Sequence, residues 1–133
     1  MHIQGAHHIA FTVSNLEASA AFYEGLFDLE VLMSEASNGR KATVYRVVGG
    51  DLQLGLVEHN PNHGPFDPRQ VGLDHFAFSV KSRESLDAWA KTLAERGITH
   101  SEVADVPPGA ILNFKDPDGV ALAFFWDRNL NPT

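Results

Sequence analysis

The chain carries one segment twice. His8-Ile9-Ala10-Phe11-Thr12-Val13-Ser14 is answered by His75-Phe76-Ala77-Phe78-Ser79-Val80-Lys81, 67 positions further along a chain of 133 residues. The correspondence continues through Glu17 and Glu84, Ala21 and Ala88, and Phe22 and Trp89. Similarity at a fixed interval of half the chain means that one supersecondary unit is used twice, so each half must carry the same order of elements.

Local signals give that order. Ser14 and Glu17 suit a capping box, and behind them Leu16, Ala20, Tyr23 and Phe27 recur on one helical face. In the second copy Ser82 suits an N-cap, and Leu86, Trp89, Ala90 and Leu93 form the apolar stripe. Arg96-Gly97 suits a helix end, where a cation meets the last carbonyls and glycine takes a positive φ. Turn chemistry at Gly49-Gly50-Asp51 and at Asp116-Pro117-Asp118-Gly119 predicts two hairpins, one following residues 41–48 and one preceding residues 120–126. The fold class is therefore α+β, with two βαβββ modules, 1–58 and 73–133, inside a single domain of 1–133. Residues 59–72 carry Pro61, Pro65 and Pro68 and read as a linker or lid.

Composition removes several functional classes. There is no cysteine, which excludes disulfides, thiolate metal sites and cysteine nucleophiles. Ten Lys and Arg against 17 Asp and Glu leave a net charge of -7, the wrong sign for a nucleic-acid footprint. The longest apolar run, Val120 to Trp126, is too short to span a bilayer. Met1-His2-Ile3-Gln4-Gly5 has no basic start followed by an apolar run, so no secretory signal is expected and the expected location is the cytoplasm.

Strand alternation separates two faces. One carries Ile9, Phe11 and Val13, Leu52, Leu54 and Leu56, Phe76, Phe78 and Val80, and Leu122, Phe124 and Trp126. This set is large and apolar and is expected beneath the helices. The other carries His8, Ala10 and Thr12, Gln53, Gly55 and Val57, His75, Ala77 and Ser79, and Ala121, Ala123 and Phe125. It is small, mildly polar and free of formal charge. A water-facing sheet would carry Lys, Glu or Arg, and a fully packed one would be rich in branched aliphatics. The composition suits a concave pocket wall; a dimer surface and a solvated face are the other readings.

These segments, together with Asn15-Leu16, Ser19, Phe22-Tyr23, Leu26 and Phe114-Lys115-Asp116-Pro117-Asp118-Gly119, resemble the vicinal oxygen chelate superfamily over nearly the whole chain. That superfamily includes glyoxalase I, bleomycin-resistance, fosfomycin-resistance and extradiol-dioxygenase proteins. The resemblance implies paired βαβββ modules whose mixed sheets curve into a cup, helices on the outer face, and commonly a homodimer. Many members hold a divalent metal at the base of the cup.

Transferred position by position, the family's ligands fall on His8, His75, Gln53 and Ala123. The resemblance thus keeps two histidines and lacks both carboxylates. Divalent ions on such scaffolds are held by imidazole plus carboxylate, and without an anionic ligand little offsets the ion's charge in a desolvated site. The implied cofactor is none, or a weakly held divalent iron, manganese, zinc or nickel ion on His8, His75 and Gln53, with Glu58 as a minor alternative ligand. Glu58 alternates with Leu54 and Leu56, so it should point away unless the strand bulges. Tyr45 and Arg46 share a strand and one of them should face the pocket; Asn113 and Phe125 are further candidates for its wall. His8 and His75 could also serve as acid–base groups without a metal.

Two functional readings follow from this. One is a protein that binds a small organic molecule with a degenerate metal site. The other is a divalent-metal-dependent lyase, isomerase or dioxygenase that uses His8 and His75 with Gln53 or another acid. A non-catalytic interaction module is a third, without specific support. Neither nucleic acid nor membrane is an expected partner.

Overall fold

A computed structural model describes residues 1–131. The last two residues of the second expected module lie outside the described residues. The chain divides into two compact units, Met1–Gly64 and Pro65–Thr133.

The first unit runs β1 (His8–Val13), α1 (Leu16–Leu26), β2 (Leu29–Ser37), β3 (Arg40–Val47) and β4 (Gln53–His59). Its four strands form one mixed sheet in the order β1-β4-β3-β2, with β1 parallel to β4 and the remaining pairs antiparallel. The second unit repeats the plan with β5 (Phe76–Ser79), α2 (Arg83–Glu95), β6 (Ala104–Val106), β7 (Gly109–Lys115) and β8 (Ala121–Asp127), ordered β5-β8-β7-β6. The repeat seen in sequence is therefore a repeat of topology, and α+β is the observed class. His75 lies one residue before β5 rather than inside it.

Alternation fixes which face each helix covers. Leu54 and Leu56 are completely buried, as are Phe11 and Val13 to within a few per cent. Phe11 stacks against Tyr23 of α1 at 6.1 Å between ring centroids. In the second unit Phe124 stacks between Trp89 of α2, at 4.3 Å, and Phe114, at 4.9 Å. Full burial of a Leu or Phe side chain contributes about 1.5–3 kcal/mol, so Leu54, Leu56, Leu112 and Leu122 hold these sheets against their helices.

The helix ends show where sequence signals had to compete. The N-cap of α1 is Asn15, whose side chain accepts from Ala18 N–H at 3.0 Å, and not Ser14 as the Ser-x-x-Glu spacing suggests. A second acceptor arrives from β4, since Glu58 Oε1 takes the Leu16 N–H at 2.8 Å. Lys41 Nζ sits 3.4 Å from the same carboxylate. In α2 the expected N-cap is observed: Ser82 accepts from Ser85 N–H. Its C-terminus closes with Ile98 N–H donating to Leu93 O and Gly97 N–H to Ala94 O, with Gly97 at φ +71. These are the two bonds of a Schellman motif.

The Asp116-Pro117-Asp118-Gly119 turn is held from within. Asp116 is buried, and its Oδ1 accepts from Asp118 N–H and Val120 N–H, both at 2.9 Å. At the other end of the first sheet, β2 is its outermost strand and is exposed along nearly its whole length. Its register with β3 shifts between Val31 and Met33.

Two predictions follow. Ser19 is buried inside α1, and its Oγ has no hydrogen-bond partner among the described residues. Ser19→Ala removes that unsatisfied group and a weak helix former together, so it should raise stability by about 1 kcal/mol, read as a higher urea midpoint at unchanged slope. Glu58 is held below the ordinary glutamate range chiefly by the Leu16 N–H and then by Lys41. A carboxylate lowered in the folded state stabilises fully above its unfolded pKa and loses that contribution as pH falls through the folded value. Glu58→Gln should therefore be less stable than the parent at neutral pH, with the difference shrinking in acid-titrated urea melts.

Candidate ligand site on the sheet faces away from the helices

Cross-strand register places the first unit's candidate residues. His8 pairs with Gln53, Gln53 with Arg46, and Arg46 with Glu30. Directly paired residues share a face, so His8, Gln53, Arg46 and Glu30 form one row across all four strands. Beside it on that face stand Ala10, Gly55 and Val44, and then Thr12, Val57 and Ala42. The row is polar and its surroundings are small.

Tyr45 does not belong to this face. It pairs with Leu54, is 1% exposed, and its hydroxyl donates to Glu24 of α1 at 3.1 Å. Burial first, and Glu24 second, push its phenol up to about 12. Of the adjacent pair expected at the pocket wall, Arg46 is the one on the helix-free face and Tyr45 is withdrawn into the core. Glu58 is withdrawn too: it pairs with Val13 and Lys41 on the α1 face and caps the helix, so it is not available beside Gln53.

The electrostatics of the row centre on Arg46. Its Nε and Nη2 donate to Glu30 Oε2 at 3.2 and 2.7 Å. Gln53 is half-buried, and among the described residues its side-chain amide makes no hydrogen bond. His8 is exposed, with its Nδ1 2.9 Å from the Nδ1 of His7, which leaves Nε2 as its outward nitrogen.

In the second unit Ala77 pairs with Ala123 and Ala123 with Asn113, while Ser79 pairs with Phe125 and Phe125 with Ile111. Ala123 is fully buried, Phe125 is half-buried and Asn113 is exposed, its backbone N–H donating to Ser101 Oγ at 2.9 Å. His75 lies next to this face at the start of β5. Its Nδ1–H donates to Asp74 Oδ1 at 2.6 Å, leaving Nε2 free to act as acceptor or ligand.

The register also separates two positions that the ligand transfer treats alike. Gln53 is the direct partner of His8, whereas Ala123 is the partner of Ala77, two residues beyond His75. By the repeat, Ala77 corresponds to Ala10, and the partner of Ala10 is Gly55. Gly55 is thus the first-unit counterpart of Ala123, a correspondence that counting along the Leu-x-Leu pattern missed. A Cβ at Gly55 would come within 3.2 Å of the Ala10 Cβ, so the two strands approach closely there. Neither position offers a donor atom. Among the described residues no three His, Asp or Glu side chains are grouped to hold a metal ion.

No helix among the described residues is long and apolar enough to cross a membrane. The sequence matches the Glyoxalase/Bleomycin resistance protein/Dioxygenase superfamily over residues 5–124. It is 30% identical over 129 residues to the metallothiol transferase FosB of Shouchella clausii (strain KSM-K16), covering 90% of this chain and 78% of that protein. The crystal structure of a glyoxylase/bleomycin resistance protein/dioxygenase domain from Frankia sp. EAN1pec superposes with a TM-score of 0.88. The two are 31% identical over 96% of this chain and 100% of that one. A variant of the fosfomycin resistance protein FosX from Listeria monocytogenes, crystallised with Mn(II) and 1S,2S-dihydroxypropylphosphonic acid, shares the fold. Its TM-score is 0.71 at 20% identity, over 93% of each chain. With the matched region spanning nearly every element of both units, the chain belongs to the glyoxalase/bleomycin resistance/dioxygenase superfamily, the vicinal oxygen chelate proteins.

Proposed function

We propose that this chain binds a small organic molecule on the helix-free faces of its sheets, through a metal site that has lost its anionic ligands. The observation that carries this reading is the content of the carboxylate positions. Ala123 presents a buried methyl group, Gly55 presents no side chain, and Gln53 offers a neutral amide. Imidazoles without a carboxylate fit poorly to a tightly held divalent ion, because hard and borderline cations need anionic oxygen to offset desolvation. The donor set therefore does not fit a resident metal, and binding is assigned to the side chains themselves. In the first unit His8, Gln53 and Arg46 supply polar contacts; the second unit, taken by itself, offers the aromatic Phe125 and the amide Asn113. The homodimer that the superfamily implies is part of this reading.

A metal-dependent lyase, isomerase or dioxygenase is the second reading. The observation favouring it is the Asp74 carboxylate on His75 Nδ1, the arrangement that orients an imidazole ligand.

Metal analysis separates the two. Protein purified without chelator or nickel resin should carry well under one equivalent of metal by plasma mass spectrometry, and its tryptophan fluorescence should respond to small aromatic compounds. Stoichiometric iron, manganese, zinc or nickel, lost on His8→Ala or His75→Ala, would replace the first reading with the second. Ala123→Glu should gain affinity for Mn(II) or Ni(II), seen in calorimetry and as a melting temperature that rises on adding metal. An unchanged metal response would remove Ala123 from the site.

A further inference from the structure

We infer that the His8–Gln53–Arg46 row is a recognition site for a carboxylate, so that the molecule bound on this face is a small organic acid. This rests on the reading that the face binds a small molecule, and adds to it the chemical class of that molecule.

The argument starts from the guanidinium. Arginine presents two hydrogen-bonding edges, one made by Nε with Nη2 and one by Nη1 with the second Nη2 proton. Glu30 occupies the first edge through a single oxygen, at 3.2 and 2.7 Å. The second edge has no partner among the described residues, although the side chain is 42% exposed and therefore reachable. Glu30 thus fixes the plane of the guanidinium without using the edge whose two parallel N–H groups match a carboxylate. A surface arginine recruited only for an ion pair would have no requirement for neighbours with unused donors.

Arg46 has such neighbours. Gln53, one strand away in the same row, is half-buried with its amide unused by the protein. That amide is open to solvent rather than buried, so its NH₂ is available to a bound group. His8, one strand further, has its Nδ1 engaged by His7 and so directs Nε2 outward; when His7 donates, Nε2 carries the proton and is a third donor. Adjacent strands are about 4.8 Å apart, so donors on neighbouring strands lie within the span of one carboxylate and its substituent.

Beyond the row, the register also puts Thr12, Glu35, Ser37, Arg40 and His59 on this face, with Glu35 and Arg40 paired to each other. Beside the row, Ala10, Gly55 and Val44, with Val57 and Ala42 beyond them, offer no side-chain hydrogen bonds. Those same residues leave space for an apolar body attached to the acid. With Glu30 balancing Arg46, the row selects by donor geometry rather than by net positive charge.

The test compares an acid with its neutral isostere. Phenylacetate and phenylacetamide are titrated into ¹⁵N-labelled full-length protein at constant ionic strength, following the Gln53 side-chain and Arg46 Nε resonances. Phenylacetate should bind at least about tenfold more tightly than the amide. Arg46→Gln and, independently, Gln53→Leu should abolish or reduce that preference by weakening phenylacetate more than phenylacetamide, and Arg46→Lys should restore only part of it. Equal affinities for acid and amide, or a preference that survives Arg46→Gln, overturn the inference and leave small-molecule binding standing. Silence toward both probes, with tryptophan fluorescence still responding to other aromatic compounds, overturns it in the same way. Silence toward every compound overturns both readings.

Discussion

The arrangement of the helix-free face follows from the lock between burial and pairing on the opposite face. Leu54 and Leu56 are fully buried beneath α1, and the ladder that holds them also sets His8 against Gln53 and Gln53 against Arg46. Side chains alternate with a period of two, so a slip of one residue in β4 would drive both leucines out of the core and carry Gln53 to the helix side. The polar row thus needs no dedicated scaffold. It is positioned by the free energy that buries its neighbours in the strand.

The repeat, the two sheets, the hairpins and the division of most strands into two faces were legible because each depends on local sequence. Ser82 and Gly97 could be read for the same reason, since a cap and a positive-φ helix end are satisfied within a few residues. The cap of α1 was not legible. Ser14 and Asn15 are both good N-caps by residue type, and the choice of Asn15 coincides with the arrival of Glu58 from 42 residues away at the Leu16 N–H. The phase of β3 was hidden for another reason. Its two buried residues, Ala42 and Tyr45, are three positions apart and lie on opposite faces, one small enough to be covered on the helix-free face and one anchored on α1 through Glu24. Such a strand shows no period of two, so Arg46 and Tyr45 could be assigned only from the ladder.

The candidate site residues were chosen by type, and their register could come only from the ladder. Residue type pointed to His8, Gln53 and His75, but the equivalence of Gly55 with Ala123 is a matter of register, which counting along a Leu-x-Leu pattern cannot supply. The two modules keep the histidine and vary everything opposite it. In the first unit the partner of Ala10 is glycine and the polar side chains stand one row along, at Gln53 and Arg46. In the second the equivalent position is alanine and the adjoining aromatic is Phe125. A duplicated unit that retains its pairing can diverge in this way because substitutions on the helix-free face leave the apolar packing intact.

The outer strand of the first sheet has one more implication. β2 offers nine residues of exposed edge with Val31, Leu32 and Met33 at its middle, a profile that ordinarily invites a foreign strand to add on. The break in register at those same residues divides the edge into two short stretches. Glu30 and Glu35 on either side are engaged by Arg46 and Arg40. An incoming chain would meet neither a continuous row of amides nor an uncharged margin, so the pairs that tie β2 to β3 also guard this edge against polymerisation.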